Sequence, residues 1–151
     1  MIKKRGGFTL IEILIVVVII AILASAVLVG LGSVSQKGRD ARRIADLKSV
    51  QTGLELYYTK NGCYPTPSGS CGGSGSMVWG ALQASLQGAG IGISTVPNDP
   101  RNGSNYFYGS DGNTYQLGAR LEDTTNPALT TSNHVNNFID CTPLAMYCVT
   151  P

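Results

Sequence analysis

Hydrophobic and polar positions follow three different schedules along this chain. From Ile13 to Leu31 there is an uncharged, apolar run, extended on its N-terminal side by Phe8-Thr-Leu-Ile-Glu12. About 20 apolar residues are enough for a helix to span a bilayer core, so residues 8–32 are read as a membrane-compatible helix. Beyond Gly32-Ser33 the spacing changes: Ala41, Ile44, Leu47, Val50, Leu54 and Tyr57/Tyr58 recur at steps of three and four, which is an amphipathic helical stripe. Asp40 with Arg43 and Arg42 with Asp46 are spaced for intrahelical pairs worth about 0.2–0.5 kcal/mol each, and these charges are read as a solvated face. Asn61-Gly62 is a C-cap signal, and Pro65 forbids continuation. The pattern therefore predicts one helix from Phe8 to about Lys60, roughly 80 Å long at about 1.5 Å per residue.

After residue 62 the periodicity shortens. Ser68 to Ser76 is a Gly/Ser loop expected to carry no regular structure. Trp79, Leu82 and Leu86 mark a short helix, and Val96-Pro-Asn-Asp-Pro100 is a rigid turn. Asn105 to Tyr108, Asp111-Gly112, and Thr114 to Leu121 read as a hairpin, with a further strand expected over His134 to Ile139. The fold class is α+β: a long N-terminal helix, apolar then amphipathic, with three or four antiparallel strands laid across it. The expected segments are 1–7 as a leader, 8–32 as the apolar helix, 33–62 as its amphipathic half and 63–151 as a small globular head.

Chemistry enters at Glu12. A carboxylate inside an apolar helix costs about 2.5–3.5 kcal/mol at mid-membrane, which points to a partner for it. Thr9-x-x-Glu12 also fits a capping box, in which hydroxyl and carboxylate satisfy the first free amides of a helix; the two roles are compatible. The basic leader Lys3-Lys4-Arg5 is nearly balanced by Lys37, Arg39, Arg42 and Arg43 beyond the apolar run, so charge alone does not orient the helix. Cys63, Cys71, Cys141 and Cys148 do: an even set of cysteines in a Gly/Ser/Thr-rich region fits disulfides in an oxidising compartment, with the head outside the cytoplasm. Three pairings are open, and short loop closure favours Cys63 with Cys71 and Cys141 with Cys148. The eight- and seven-residue spacings and the lone His134 disfavour zinc, and no metal or other cofactor is expected.

Gly6-Gly7-Phe8-Thr9-Leu10-Ile11-Glu12 and the helix after it resemble the type IV pilins and pseudopilins, whose precursors join a basic leader ending in Gly to such a segment. The Leu54 to Pro65 stretch and Val96 to Pro100, with a Tyr-rich hairpin, resemble the heads of major pseudopilins and short pilins more weakly. The resemblance implies cleavage between Gly7 and Phe8 by a prepilin peptidase, methylation of the Phe8 amine, and pairing of Glu12 with a neighbouring subunit's N-terminus. A conventional secretory peptide is cut after its apolar region, whereas Gly6-Gly7 precedes it, so the helix would stay attached. Some secretion pseudopilins bind calcium in C-terminal loops, but no matching ligand set maps onto Asp111, Asp123 or Asp140.

No nucleophile elbow, phosphate loop or other catalytic set is present in the sequence, so an enzyme is not expected. Asn102-Gly-Ser104 is a formal glycosylation triplet better explained as a turn. Net charge is +2, and removal of Lys3, Lys4 and Arg5 leaves 8 basic and 9 acidic side chains. The leading reading is a type IV pilus subunit, inserted in the cytoplasmic membrane as a single-pass precursor and polymerised with copies of itself into a surface fibre by membrane-embedded machinery. The alternatives are a type II secretion pseudopilin, and a DNA-uptake or adhesive pilin. The last would use Lys37, Arg39, Arg42, Arg43 and exposed tyrosines, although mature charge near −1 speaks against nucleic acid as the main partner.

Overall fold

In the computed structural model, the described residues are 9–69, 71–101, 103, 106–132 and 137–151, with backbone only for 26–31. Helix α1 spans Leu10–Asn61. Its stop is the expected one: Gly62 adopts φ +75°, its N–H bonds to Tyr58 O at 2.8 Å, and Asn61 Nδ2 donates to Tyr57 O at 3.0 Å. Two compact units divide the chain, Met1–Ser35 and Gln36–Pro151.

In the second unit, a four-stranded antiparallel sheet is ordered β1 (Gly75–Met77), β2 (Tyr106–Ser110), β3 (Tyr115–Arg120) and β4 (Met146–Val149). A short helix α2, Trp79–Gly88, lies between β1 and β2 in sequence. The amphipathic half of α1 buries Leu47, Val50 and Leu54 against Tyr106, Tyr108, Tyr115, Leu117 and Ala119 of the sheet, and against Leu82 and Leu86 of α2. Strand alternation sends every second side chain of β2 and β3 into this core. The buried tyrosines keep their hydroxyls paired: Tyr106 donates to Asp46 at 2.7 Å and Tyr108 to Pro65 O at 2.8 Å.

The opposite face of the sheet is covered as well. Ile139, Cys141, Met146 and Cys148 cluster there with Phe107. Space is tight enough that β3 places Gly118 on this face, where a Cβ would come within 2.7 Å of Met146 Cε and 2.8 Å of Ile139 Cδ1. Fully buried Gln116 fastens the covering loop: its Oε1 accepts from the backbone N–H groups of Asn137, Phe138 and Ile139 at 3.2–3.4 Å, and its Nε2 lies 3.2 Å from Cys141 Sγ.

Two expectations are corrected here. Of the segment His134 to Ile139, residues 134–136 lie outside the described residues and 137–139 form bends, not a strand, because their amides are aimed at Gln116 instead of a neighbouring strand. The fourth strand is Met146–Val149, paired with β3. The Gly/Ser loop is also not wholly irregular, since Gly75 and Ser76 pair with Ser110 and Gly109 as part of β1. The hairpin is Tyr106–Ser110 with Tyr115–Arg120, and Asp111 Oδ1 holds its turn by accepting from the N–H groups of Asn113 and Thr114. Asn105, Asn102 and Ser104 lie outside the described residues.

Replacing Gln116 with Leu strips the acceptor from three amides at once, and each buried amide left unpaired costs about 1–3 kcal/mol. Gln116→Leu is expected to lower unfolding stability by about 2–4 kcal/mol in urea titration, with hydrogen-exchange protection lost first at residues 137–139.

Candidate assembly site

At the start of α1 the local chemistry is complete within one turn. Thr9 N–H donates to Glu12 Oε2 at 2.8 Å, the Thr9 hydroxyl donates to the same oxygen at 2.7 Å, and Glu12 N–H reaches back to Thr9 Oγ1 at 3.4 Å. This is the reciprocal capping box that Thr-x-x-Glu encodes. Glu12 is exposed, and so are its apolar neighbours: from Leu10 to Leu23 every large apolar side chain is 49–81% exposed. Among the described residues nothing covers them, so this stretch needs apolar surroundings. Among the described residues no helix is long and apolar enough to cross a membrane. Phe8 and the side chains of 26–31, which complete the run, are outside that set, as is the Gly7–Phe8 junction.

In the head the expected solvated face of α1 holds for Arg42, 65% exposed and 3.9 Å from Asp46, but not for Asp40 and Arg43. Arg43 is only 1% exposed in its side chain, and Asp40 is fully buried. The Arg43 guanidinium donates from Nε to Asp99 Oδ2 at 2.8 Å, from Nη2 to Asp99 Oδ1 at 3.1 Å, and from Nη1 to Asp40 Oδ1 at 2.8 Å and Glu122 Oε1 at 2.9 Å. Arg39 adds a two-pronged bond to Glu122 at 2.7 and 2.8 Å. Asp40 in turn accepts the N–H groups of Glu122 and Asp123, both at 2.9 Å. This knot ties α1 to the Val96–Pro100 turn and to the loop after β3. Burial by itself would lower the Arg43 pKa, but the bonds to Asp99, Glu122 and Asp40 prevail and raise it. The Arg39 bond, opposed by burial and joined by Arg43, holds the Glu122 carboxyl down to about 2. The sequence displayed only the Asp40/Arg43 spacing; Asp99 and Glu122 stand 56 and 79 residues from Arg43, with no local signal.

The four cysteines form two disulfides, Cys63–Cys71 and Cys141–Cys148, with Cα separations of 5.6 and 6.2 Å. The first closes the loop after α1 and the second closes the loop before β4. Asp111, Asp123 and Asp140 each cap their own turn through a threonine at 3.3, 2.6 and 2.5 Å, and no group of His, Cys, Asp and Glu suited to a metal occurs among the described residues. Of the residues named for the DNA-binding alternative, Arg43 is buried and Arg39 is engaged by Glu122, whereas Lys37, Arg42 and Tyr58 are exposed.

Residues 2–28 match the prokaryotic N-terminal methylation motif. The chain carries a prepilin-type N-terminus. Over 64 residues it is 38% identical to the type II secretion system core protein G of Vibrio cholerae, a match covering 42% of this chain and 44% of that protein. The corresponding protein of Escherichia coli K12 is 38% identical over 63 residues, 42% of this chain and 43% of its own length. That of Pseudomonas aeruginosa is 36% identical over 64 residues, with 42% and 45% covered. The chain thus spans less than half the length of the curated relatives it matches. No solved structure matches it.

Arg43→Leu leaves Asp40 and Asp99 buried without their cation, and breaking a buried pair costs about 3–5 kcal/mol. A loss of that size is expected in chemical denaturation, nearly independent of added salt because the groups are shielded from solvent. For Glu122 the folded pKa lies below its ordinary 4.5, so its contribution is fully present above pH 4.5 and is lost as pH falls towards 2. Thermal melting between those limits should show a steeper acid decline in the native chain than in Glu122→Gln.

Proposed function

We propose that the chain is a pseudopilin of a type II secretion system: a structural subunit, not an enzyme, that builds a short fibre through its N-terminal helix. The observation that carries this reading is the 64-residue match to core protein G, which favours secretion over the type IV pilus subunit that the motif alone suggests. In this reading the precursor sits in the cytoplasmic membrane with its head outside. A prepilin peptidase cuts between Gly7 and Phe8, the new Phe8 amine is methylated, and the secretion machinery draws the subunit from the bilayer.

Apart from Glu12, the exposed apolar surface of Leu10 to Leu23 fits both environments, because lipid tails and sister helices are equally apolar. β-branched residues from Val16 to Ile20 have few rotamers to lose on packing. Glu12 is then the polar group that distinguishes one register from another. In the single chain it is satisfied by Thr9; in the fibre it takes the methylated amine of a neighbouring Phe8, a charge pair formed away from water.

Deleting the gene should abolish export of secreted proteins, and sheared fibres or solubilised membranes should yield a chain starting at N-methylated Phe8. Glu12→Gln retains a capping residue but no negative charge. It is expected to lower fibre yield about tenfold or more, the scale of a lost buried charge pair, with helix content by circular dichroism unchanged. Normal export in the deletion strain would sink the reading.

A further inference from the structure

The β2–β3 hairpin presents opposite charges at its two ends. At the open end, where β3 finishes at Arg120, a cleft of about 340 Å3 is lined by Arg43, Arg101, Arg120, Leu121 and Glu122. Arg43 and Glu122 are committed to each other and to the buried knot. Arg101 gives Glu122 a single bond at 3.2 Å and its side chain is 62% exposed. Arg120 is exposed and has no ion pair or hydrogen bond from its side chain among the described residues. Arg39, Arg43 and Arg101 pair with Asp40, Asp99 and Glu122, and the exposed guanidinium groups of Arg101 and Arg120 keep unused donors facing the cleft. Such an arrangement fits one carboxylate, which arginine binds with two parallel N–H bonds.

At the closed end of the same hairpin is Asp111. Its Oδ1 takes the bonds that hold the turn, from Asn113 N, Thr114 N and Thr114 Oγ1, and Oδ2 takes none of them. Those bonds, led by the Thr114 N–H, hold its pKa below the ordinary carboxylate value, so the tip is anionic at neutral pH. Asp123 is less available, because it faces Lys37 in its own chain.

We propose that the Arg101–Arg120 cleft of one head receives the Asp111 carboxylate of a second copy. The proposal rests on the pseudopilin reading and adds to it a contact between heads. Because donor and acceptor surfaces lie at opposite ends of one hairpin, the contact is head-to-tail, and a contact of that kind repeats along a fibre where its rotation does not close into a ring. Each copy would place a carboxylate against the exposed guanidinium groups of its neighbour's cleft. The fibre would then be held at two levels, apolar along the N-terminal helices and electrostatic between the heads, the second setting register more than affinity.

The test uses the full-length chain in cells that process and assemble it. Arg120→Glu and Asp111→Lys are each expected to cut the yield of sheared fibres about tenfold, as one adverse charge contact does, and the double variant is expected to restore it. Thermal melting of the variants checks that the heads still fold. Single variants with wild-type yield, or a double variant no better than either single, overturn the proposal while leaving the pseudopilin reading intact. If the unaltered chain forms no fibre, that reading fails separately, and a photo-cross-linking amino acid at position 120 in the membrane-embedded chain reads the contact. Adducts on residues 110–114 of a second copy support it; adducts elsewhere, or none, overturn it.

Discussion

A guanidinium cannot be taken out of water unless its charge and its N–H groups are met, and that constraint organises the head. Arg43 sits on the face of α1 that the sheet covers, so three acidic side chains from three places in the chain have to converge on it. One comes from the preceding turn of the helix, one from the Val96–Pro100 turn and one from the loop after β3. Their convergence fixes where both loops lie against the helix. The knot contributes less to net stability than its number of bonds suggests, because removing these ions from water opposes their attraction. Its value is specificity: an arrangement in which either of the two loops strays leaves a bare charge inside.

The sheet is held from both sides by different means. Towards α1 the work is done by apolar burial, with tyrosine hydroxyls anchored to helix acids and to backbone. Away from α1 there is little apolar material, and covalent and polar devices take over: a disulfide from Cys141 to Cys148, and Gln116 collecting three successive amides. A small head has limited core to draw on, and crosslinks that restrict the unfolded chain compensate for it.

The first unit obeys a different logic. From Leu10 to Leu23 its large apolar side chains are exposed, and its one acid is already bonded at the helix terminus. Among the described residues Glu12 bonds to Thr9, so the proposed pairing with a second subunit would exchange an internal partner for an external one without leaving the carboxylate bare. The head-to-tail contact proposed above would supply what apolar packing between helices lacks, a directional interaction at fixed spacing.

The sequence by itself determined everything that depends on neighbours within a turn or two. The amphipathic stripe of Ile44 to Tyr57, the Asn61-Gly62 stop, the Thr9–Glu12 cap, the short helix at Trp79 and the Asp111-Gly112 turn are all local, and so they are legible in periodicity and turn chemistry. The prepilin-type motif is equally local, being a contiguous string. What only the tertiary structure decided involves partners far apart in the chain. Arg43 looks like a surface charge until Asp99 and Glu122 are brought to it. Gln116 looks like a polar residue on an alternating strand until residues 137–139 fold over it, and that same fold moves the last strand to Met146–Val149. A side chain's periodicity shows which face it is on, but whether that face is wet or buried is settled by segments that sequence spacing does not connect.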